Sequence, residues 1–292
     1  MEIATAPSPH SPLDADLVEI GGRWRLVDRH GDQWDLGTLD QVTIDALIAM
    51  RTGGAIDQEL FDDLDLHGLI SPPTKRLSVA VVGSRAAAGA CARAVLDVPG
   101  SSLLVLDPRG LVMATHRQRR PLTGADDLRR DLLAAGADPA RVVAQGHWSE
   151  LGADAPVDLV VVAERQVEAD RAITDHLVRT CLPHLVVTAH RDRATVGPFV
   201  LPGGSACVGC LDRHHSDRDP HWWAVVAALA RRPARPADTT VAWIQATVAS
   251  WLHTLARDDD CFGRGEVVQL QLGRGPASTV LWPPHPQCSC RG

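Results

Sequence analysis

Residues 77–98, LSVAVVGSRAAAGACARAVLDV, are the part of this chain from which its fold class can be inferred. An apolar strand ends at Gly83, and an alanine-rich helix follows the turn directly. The next segment, SSLLVLDP (101–108), is a second apolar strand that closes on Asp107, 24 residues beyond Gly83. A strand, a turn, a helix, a strand and then an acid are the layout of a nucleotide-binding βαβ unit.

The glycine pattern of this turn is incomplete. A G-x-G-x-x-G template that starts at Gly83 places Arg85 at the second glycine and Ala88 at the third. The second position is normally glycine because the backbone there approaches a pyrophosphate closely, and an arginine side chain obstructs that approach. The alternative is that Arg85 itself holds a phosphate. The pattern therefore predicts the βαβ fold without predicting a bound nucleotide.

Two further apolar runs extend the same architecture. They are VDLVVVA (157–163) and HLVVTAH (184–190), and the helical segment VEADRAITDHLVRTCL (167–182) separates them. Continuous apolar strands that alternate with amphipathic helices are typical of strands buried on both faces. The sequence therefore predicts an α/β fold with a Rossmann-type, mostly parallel sheet and helices on both of its faces.

The N-terminal part of the chain has a different pattern. Two strand-like stretches, LVEIGGRWRLV (17–27) and QWDLGTL (33–39), precede the helical segments QVTIDALIAM (41–50) and IDQELFDDLDLHGLI (56–70). Asp40 is a candidate N-cap of the first helix. Strands followed by short helices predict a small winged-helix-like α+β module over residues 1–75, with a second domain over residues 76–292.

The charge of the N-terminal module restricts its partners. Residues 1–75 hold 14 Asp or Glu against 5 Lys or Arg, a net charge of −9, and the whole chain carries −7. Because a phosphate backbone is repelled by such a surface, we expect no nucleic-acid partner. An edge strand of the module that pairs with an extended peptide fits better. The alternative is a packing or dimerisation domain.

The expected compartment follows from what the sequence lacks. No apolar run approaches the roughly 20 residues that a membrane-spanning helix needs, and the N-terminal residues MEIATAPSPHSPLDAD (1–16) contain no signal-peptide core. We therefore expect a cytoplasmic protein with no membrane partner. In a reducing cytoplasm, close cysteine pairs bind metal more often than they form disulfides.

Two close cysteine pairs predict a metal site. Cys207 and Cys210 form a C-x-x-C motif, Cys288 and Cys290 form a C-x-C motif, and 77 residues separate the pairs. Four thiolates can converge on a tetrahedral Zn²⁺ and leave no position open for water, so such a zinc is structural. Two alternatives stay open: the pairs are unrelated reduced thiols, or a nearby histidine replaces one sulfur.

The segment PHLVVTAHRDRATVGPFVLPGGSACVGCLDRHHSDRDPHWW (183–223), with the closing HPQCSC (285–290), resembles the ThiF/MoeB superfamily of ubiquitin-activating-like adenylyltransferases. Within it, the chain is most similar to the TOMM precursor leader peptide-binding proteins, the partners of YcaO cyclodehydratases in the biosynthesis of ribosomal peptides (RiPPs). The resemblance covers about 75–292 and, more loosely, the N-terminal module, which resembles the family's peptide clamp. It implies a precursor peptide, a YcaO-type partner enzyme, a homodimer, and zinc on the four paired cysteines.

The resemblance also shows which adenylating residues this chain lacks. Active relatives follow the second strand with Asp-x-Asp and then an asparagine shortly before Arg-Gln. Here Asp107 matches the first acid, Arg109 replaces the second, and Arg117 with Gln118 remain without the asparagine. The nucleotide lysine has no counterpart, because Lys75 precedes the first strand.

The family's metal-binding aspartate is also missing. Its position falls on Arg165, and only the neighbouring Glu164 carries a carboxylate. An adenylyl site without the lysine, the Mg²⁺ carboxylate and the glycine turn lacks its main charge-stabilising groups. The resemblance thus predicts a non-catalytic scaffold that does not bind ATP. The alternative is an active ATP-dependent adenylyltransferase of a carboxyl terminus, with Asp107, Arg117 and Glu164 in altered roles.

Overall fold

The structure is a computed structural model that describes residues 13, 15–28, 31–50, 62, 64, 69, 74–108, 123–163, 166–230, 232–257 and 264–291. The chain divides into two compact units, Met1–Thr74 and Lys75–Gly292, called here the N-terminal unit and the C-terminal unit. Within the described ranges, no helix is both long enough and apolar enough to cross a membrane.

The N-terminal unit is built on a three-stranded antiparallel sheet of order β1-β2-β3. Its elements are β1 (Ala15–Ile20), β2 (Arg23–Asp28), β3 (Gln33–Gly37) and the helix α1 (Gln41–Met50). Gly21 and Gly22 join β1 to β2 with φ angles of 61° and 77°, the left-handed conformation that a tight hairpin turn requires. The carboxylate of Asp40 accepts a hydrogen bond from the Thr43 backbone N–H at 2.7 Å and so caps α1, as the sequence predicts.

The core of the N-terminal unit lies between its sheet and its helical part. Leu26 of β2 and Leu47 of α1 are fully buried, and Leu64 and Leu69 are nearly so. Trp34 of β3 packs against this core while it remains partly exposed. The first predicted strand-like stretch, residues 17–27, is two strands in the structure, because the chain turns back at Gly21 and Gly22. Most of the predicted second helical segment lies outside the described residues.

The C-terminal unit is built on one eight-stranded sheet. Its strands are β4 (Ser78–Gly83), β5 (Ser102–Asp107), β6 (Val142–His147), β7 (Leu159–Ala163), β8 (His184–Ala189), β9 (Arg193–Val200), β10 (Glu266–Gln271) and β11 (Ser278–Leu281), in the order β11-β10-β9-β8-β7-β4-β5-β6. Five neighbouring strands are parallel, in the order β6-β5-β4-β7-β8. The strands β9, β10 and β11 continue the sheet in antiparallel pairing. The strands β5 and β7 lie on opposite sides of β4, so the strand order reverses there. Open α/β sheets bind ligands at the carboxyl ends of the strands at such a point.

Helices cover both faces of this sheet. They are α2 (Arg85–Asp97), α3 (Gly124–Ala134), α4 (Arg171–Arg179), α5 (Val208–Ser216), α6 (Trp222–Leu229) and α7 (Asp238–Ala256). Val79 and Val81 of β4 pack into a core with residues of α2, α3 and α7. Ala80 and Val82 face the opposite core, which contains residues of α4. Burial on both faces explains the continuous apolar runs and confirms the predicted fold class.

Candidate functional site

The four paired cysteines come together into one group, called here the cysteine cluster. Cys207 precedes the first residue of α5 and Cys210 lies in its first turn, whereas Cys288 and Cys290 belong to the C-terminal tail. The four Sγ atoms lie within 4.8 Å of one another. The closest pairs are Cys207 with Cys288 at 3.6 Å, Cys210 with Cys290 at 3.5 Å, and Cys207 with Cys210 at 3.8 Å.

This geometry fits a tetrahedral metal ion. Four sulfurs bonded to zinc at about 2.3 Å lie about 3.8 Å apart, close to the separations found here. The same separations are far beyond the roughly 2.05 Å of a disulfide. Burial raises the pKa of Cys207 above the ordinary thiol range, and it raises the pKa of Cys290 to about 12. A dication that stabilises the thiolates would therefore displace protons when it binds.

The tail that carries two of these cysteines is tied to α5 by histidines. His285 is buried, and its Nε2 lies 3.0 Å from an Asp217 carboxylate oxygen while its Nδ1 accepts from the Gln287 backbone N–H at 3.1 Å. Its own carbonyl accepts from the Cys288 N–H at 3.0 Å. The Nε2 atom of His214 lies 2.9 Å from the Pro283 carbonyl oxygen. These histidines therefore hold the loop, and the cluster consists of sulfurs.

The turn after β4 has a backbone conformation that suits glycine. A Cβ atom on Gly83 would overlap the carbonyl oxygen of Ala163 in β7, so only glycine allows the two strands to pack this closely. Arg85 has a φ of 70°, a left-handed conformation that costs an ordinary residue about 1–2 kcal/mol. The backbone at the second glycine position therefore has a conformation that glycine adopts easily, although the residue there is arginine.

The acid at the end of β5 has a structural contact. Asp107 is buried, and one of its carboxylate oxygens accepts a hydrogen bond from the Gly124 N–H at the start of α3. A Cβ on Gly124 would lie 3.1 Å from the Cβ of Ser84, so the turn after β4, Asp107 and the start of α3 are neighbours. Three of the predicted nucleotide-site residues thus meet at the carboxyl edge of the sheet. The others, Arg117 and Glu164, lie outside the described residues.

Sequence reasoning missed a cavity of about 210 Å³ on the α4 face of the sheet, called here the tryptophan cavity. It is lined by residues of three strands, by the start of α4, by α5, and by the side chains of Trp222 and Trp282. Arg171 and Asp212 meet there in a bidentate ion pair at 2.8 and 2.9 Å. The sequence signal that could have pointed to this cavity is Asp212, a carboxylate two residues after Cys210 in the cysteine segment.

Comparison with known proteins identifies the fold. No protein-family profile matches the chain, and no curated protein is similar to it in sequence. The structure of E. coli MccB with ATP is 13% identical, with a TM-score of 0.59 over 97% of this chain and 99% of MccB. The microcin C7 biosynthetic enzyme MccB in complex with N-formylated MccA is also 13% identical, with a TM-score of 0.58 over 97% and 99%. The heterocyclase TruD is 14% identical, with a TM-score of 0.56 over 97% of this chain and 42% of TruD.

These likenesses establish an MccB-like fold over nearly the whole chain. Identities of 13–14% show the fold alone, and the resemblance to the ThiF/MoeB superfamily stays a prediction. This chain spans less than half the length of TruD. The narrower resemblance, to leader peptide-binding proteins, stays a prediction.

Proposed function

We propose that this protein binds a precursor peptide through its N-terminal unit and presents it to a separate modifying enzyme, such as a YcaO-type cyclodehydratase. In this proposal the C-terminal unit is a non-catalytic, ThiF-like scaffold with a structural zinc on the cysteine cluster. The protein acts in the cytoplasm, as a homodimer. The observation that carries the proposal is a small three-stranded sheet with two outer strands, β1 and β3.

An outer strand offers backbone N–H and C=O groups to an extended peptide, which can add itself as a further strand. On β1, Val18 and Ile20 are 37% and 52% exposed, so this edge also offers apolar surface. On β3, Trp34 and Leu36 pack on the core and remain partly exposed. Because residues 1–75 carry a net charge of −9, the expected peptide is apolar or basic.

Two of the similar folds support a peptide partner. MccB has been solved in complex with N-formylated MccA and is described as a microcin C7 biosynthetic enzyme. TruD is described as a heterocyclase. These descriptions concern those proteins, and they make a peptide the first ligand to test on this chain.

The scaffold role rests on the turn after β4 and on Asp107. Arg85 occupies the position where a nucleotide site needs open backbone, and the Asp107 carboxylate already holds α3. The competing function is an ATP-dependent adenylyltransferase, and it is favoured by the close packing at Gly83 and by the structure of MccB with ATP. Incubation of the full-length protein with ATP, Mg²⁺, a candidate peptide and labelled pyrophosphate separates the two. Exchange of label into ATP would establish the enzyme, and no exchange is expected.

Peptide binding is tested by calorimetry with the full-length protein and a candidate precursor peptide encoded beside a YcaO-type gene. We expect a micromolar dissociation constant. Trp34→Ala on β3 or Val18→Lys on β1 should weaken binding at least tenfold, depending on which edge the peptide uses. The matched control Trp223→Ala, a half-exposed tryptophan on α6, should leave affinity within twofold. If neither edge variant changes the affinity, the proposal fails.

A further inference from the structure

The tryptophan cavity has the size of one side chain. Its volume of about 210 Å³ is below the roughly 300–1,000 Å³ of pockets for drug-sized ligands. Its floor is a row of polar side chains on neighbouring strands, since Thr188 pairs with Thr195 and Thr195 with Gln269. The two threonine hydroxyls are hydrogen-bonded to each other.

The charged groups of the cavity carry a surplus of negative charge. Among the lining residues that the structure describes, Asp212 and Glu168 contribute two carboxylates and Arg171 contributes the one guanidinium, while the exposed Arg218 lies outside this lining. Four of the five N–H donors of Arg171 are engaged: Nε and Nη2 each donate once to Asp212, and Nη1 donates to Glu168 at 2.9 Å and to the Ala169 carbonyl at 2.8 Å. An anionic ligand would therefore find no free pair of donors.

Glu168 is the group that a ligand can reach. One of its carboxylate oxygens accepts from Arg171, and the other has no hydrogen bond to the residues that the structure describes. Its side chain is 22% exposed, compared with 2% for Asp212. On a partly exposed side chain that lines a small cavity, a carboxylate oxygen is a strong acceptor for a positively charged donor.

Aromatic rings form another part of the cavity wall. Trp222 donates from Nε1 to Asp212 at 2.9 Å, and its ring stacks on His215 with centroids 4.3 Å apart. The ring of His215 lies 5.1 Å from Trp282. The guanidinium of Arg218, an exposed residue, lies 5.6 Å from the Trp282 ring centroid. Faces of tryptophan attract ammonium and guanidinium groups electrostatically.

We propose that the tryptophan cavity binds one cationic side chain, a lysine or an arginine, of the peptide that this protein carries. The acid surplus selects a cation over an anion, the aromatic wall covers its aliphatic stem, and the volume admits a single side chain. That the side chain belongs to a peptide rests on the proposed peptide-binding function, because a free lysine or arginine has the same side chain. The cavity thereby adds a sequence requirement to the peptide, a basic residue, beyond the contacts of the N-terminal unit.

The test uses N-acetyl-L-arginine amide and its uncharged isostere, N-acetyl-L-citrulline amide, titrated against the full-length protein by tryptophan fluorescence. The arginine probe is expected to bind at least fivefold more tightly than the citrulline probe. In Glu168→Gln the amide oxygen can still accept from Arg171, so the fold is kept while the charge is lost and the preference should disappear. The control Asp127→Asn, an exposed carboxylate on α3, should keep the preference.

Three results would overturn the inference: no binding of either probe, equal binding of both, or a preference that survives Glu168→Gln. The comparison of the two probes on the unaltered protein is decisive even if the variant folds poorly. To distinguish peptide side chains from free amino acids, the precursor peptide is compared with versions whose basic residues are changed one at a time to citrulline or norleucine. Replacement at one of these positions should weaken precursor binding at least fivefold. If neither probe binds the unaltered protein but the precursor peptide binds normally, the role of this cavity is refuted and the proposed function still stands.

Discussion

Asp212→Asn is predicted to destabilise the C-terminal unit strongly. The Asp212 side chain is 2% exposed and accepts three hydrogen bonds of 2.8 to 2.9 Å, two from Arg171 and one from Trp222. Asparagine keeps one acceptor oxygen, but its NH₂ group is itself a donor and cannot accept from the N–H groups of Arg171 or Trp222. Removing one partner of a buried ion pair costs about 3–5 kcal/mol, because the other charge stays buried. Since the Arg171 side chain is 20% exposed, water offsets part of this cost.

We therefore expect a loss of about 3 kcal/mol in the free energy of unfolding, or roughly 6–12 °C in melting temperature for a unit of this size. Urea unfolding followed by near-ultraviolet circular dichroism measures it. The matched control is Asp127→Asn, which removes an ion pair with Arg130 whose side chains are 61% and 58% exposed, and it should change little. If Asp212→Asn unfolds within about 1 kcal/mol of the unaltered protein, the interpretation of this pair as buried and mutually dependent is wrong.

Three further predictions concern other parts of the C-terminal unit. Freshly purified protein should carry about one zinc ion per chain by metal analysis, and changing Cys288 and Cys290 together to serine should release it. Burial lowers the pKa of His184 to about 4, so between pH 6.5 and pH 4 the unfolded chain binds a proton that the folded chain does not. The free energy of unfolding should therefore drop by about 3 kcal/mol as the pH falls through that window. In urea titrations, His184→Leu should remove this loss. Gly83→Ala should cost more than about 2 kcal/mol because its Cβ meets a backbone carbonyl, whereas Gly89→Ala within α2 should be neutral or stabilising by about 0.5–1 kcal/mol.

Each of these predictions has a control or a contradicting outcome. Cys181→Ser changes an exposed, isolated cysteine and should leave the zinc content unchanged, while chelator-free protein that contains no zinc would disprove the metal site. For the histidine, equal losses of stability at low pH in the unaltered protein and in His184→Leu would show that other groups are responsible. A fully stable Gly83→Ala would contradict the close packing of β4 on β7.

The parts of the fold that the sequence predicted are those with local signatures. All five residues of β7 are buried, and a strand buried on both faces must be a continuous apolar run. The cysteine pairs were recognisable because metal ligands need short spacings, and the structure brings all four sulfurs together. Asp40 was recognisable as a cap because its carboxylate must lie just before the helix that it caps.

The parts that escaped prediction depend on partners distant in sequence. The strand β6 lies at the edge of the sheet and is half exposed, so it shows no apolar run. The strand β9 contains Gly197 and Pro198, residues that argue against a strand in sequence-based reasoning. The tryptophan cavity depends on Arg171 meeting Asp212 across 41 positions of the chain, and no local pattern records such a meeting.

Amide hydrogen exchange of the full-length protein, with and without the candidate precursor peptide, tests the central claim most directly. A peptide that adds a strand to the N-terminal sheet protects the backbone N–H groups of the edge it joins. The account predicts new protection within residues 15–37, on β1 or β3, at peptide concentrations that saturate binding. Protection confined to residues 75–292, or none at all, would contradict it.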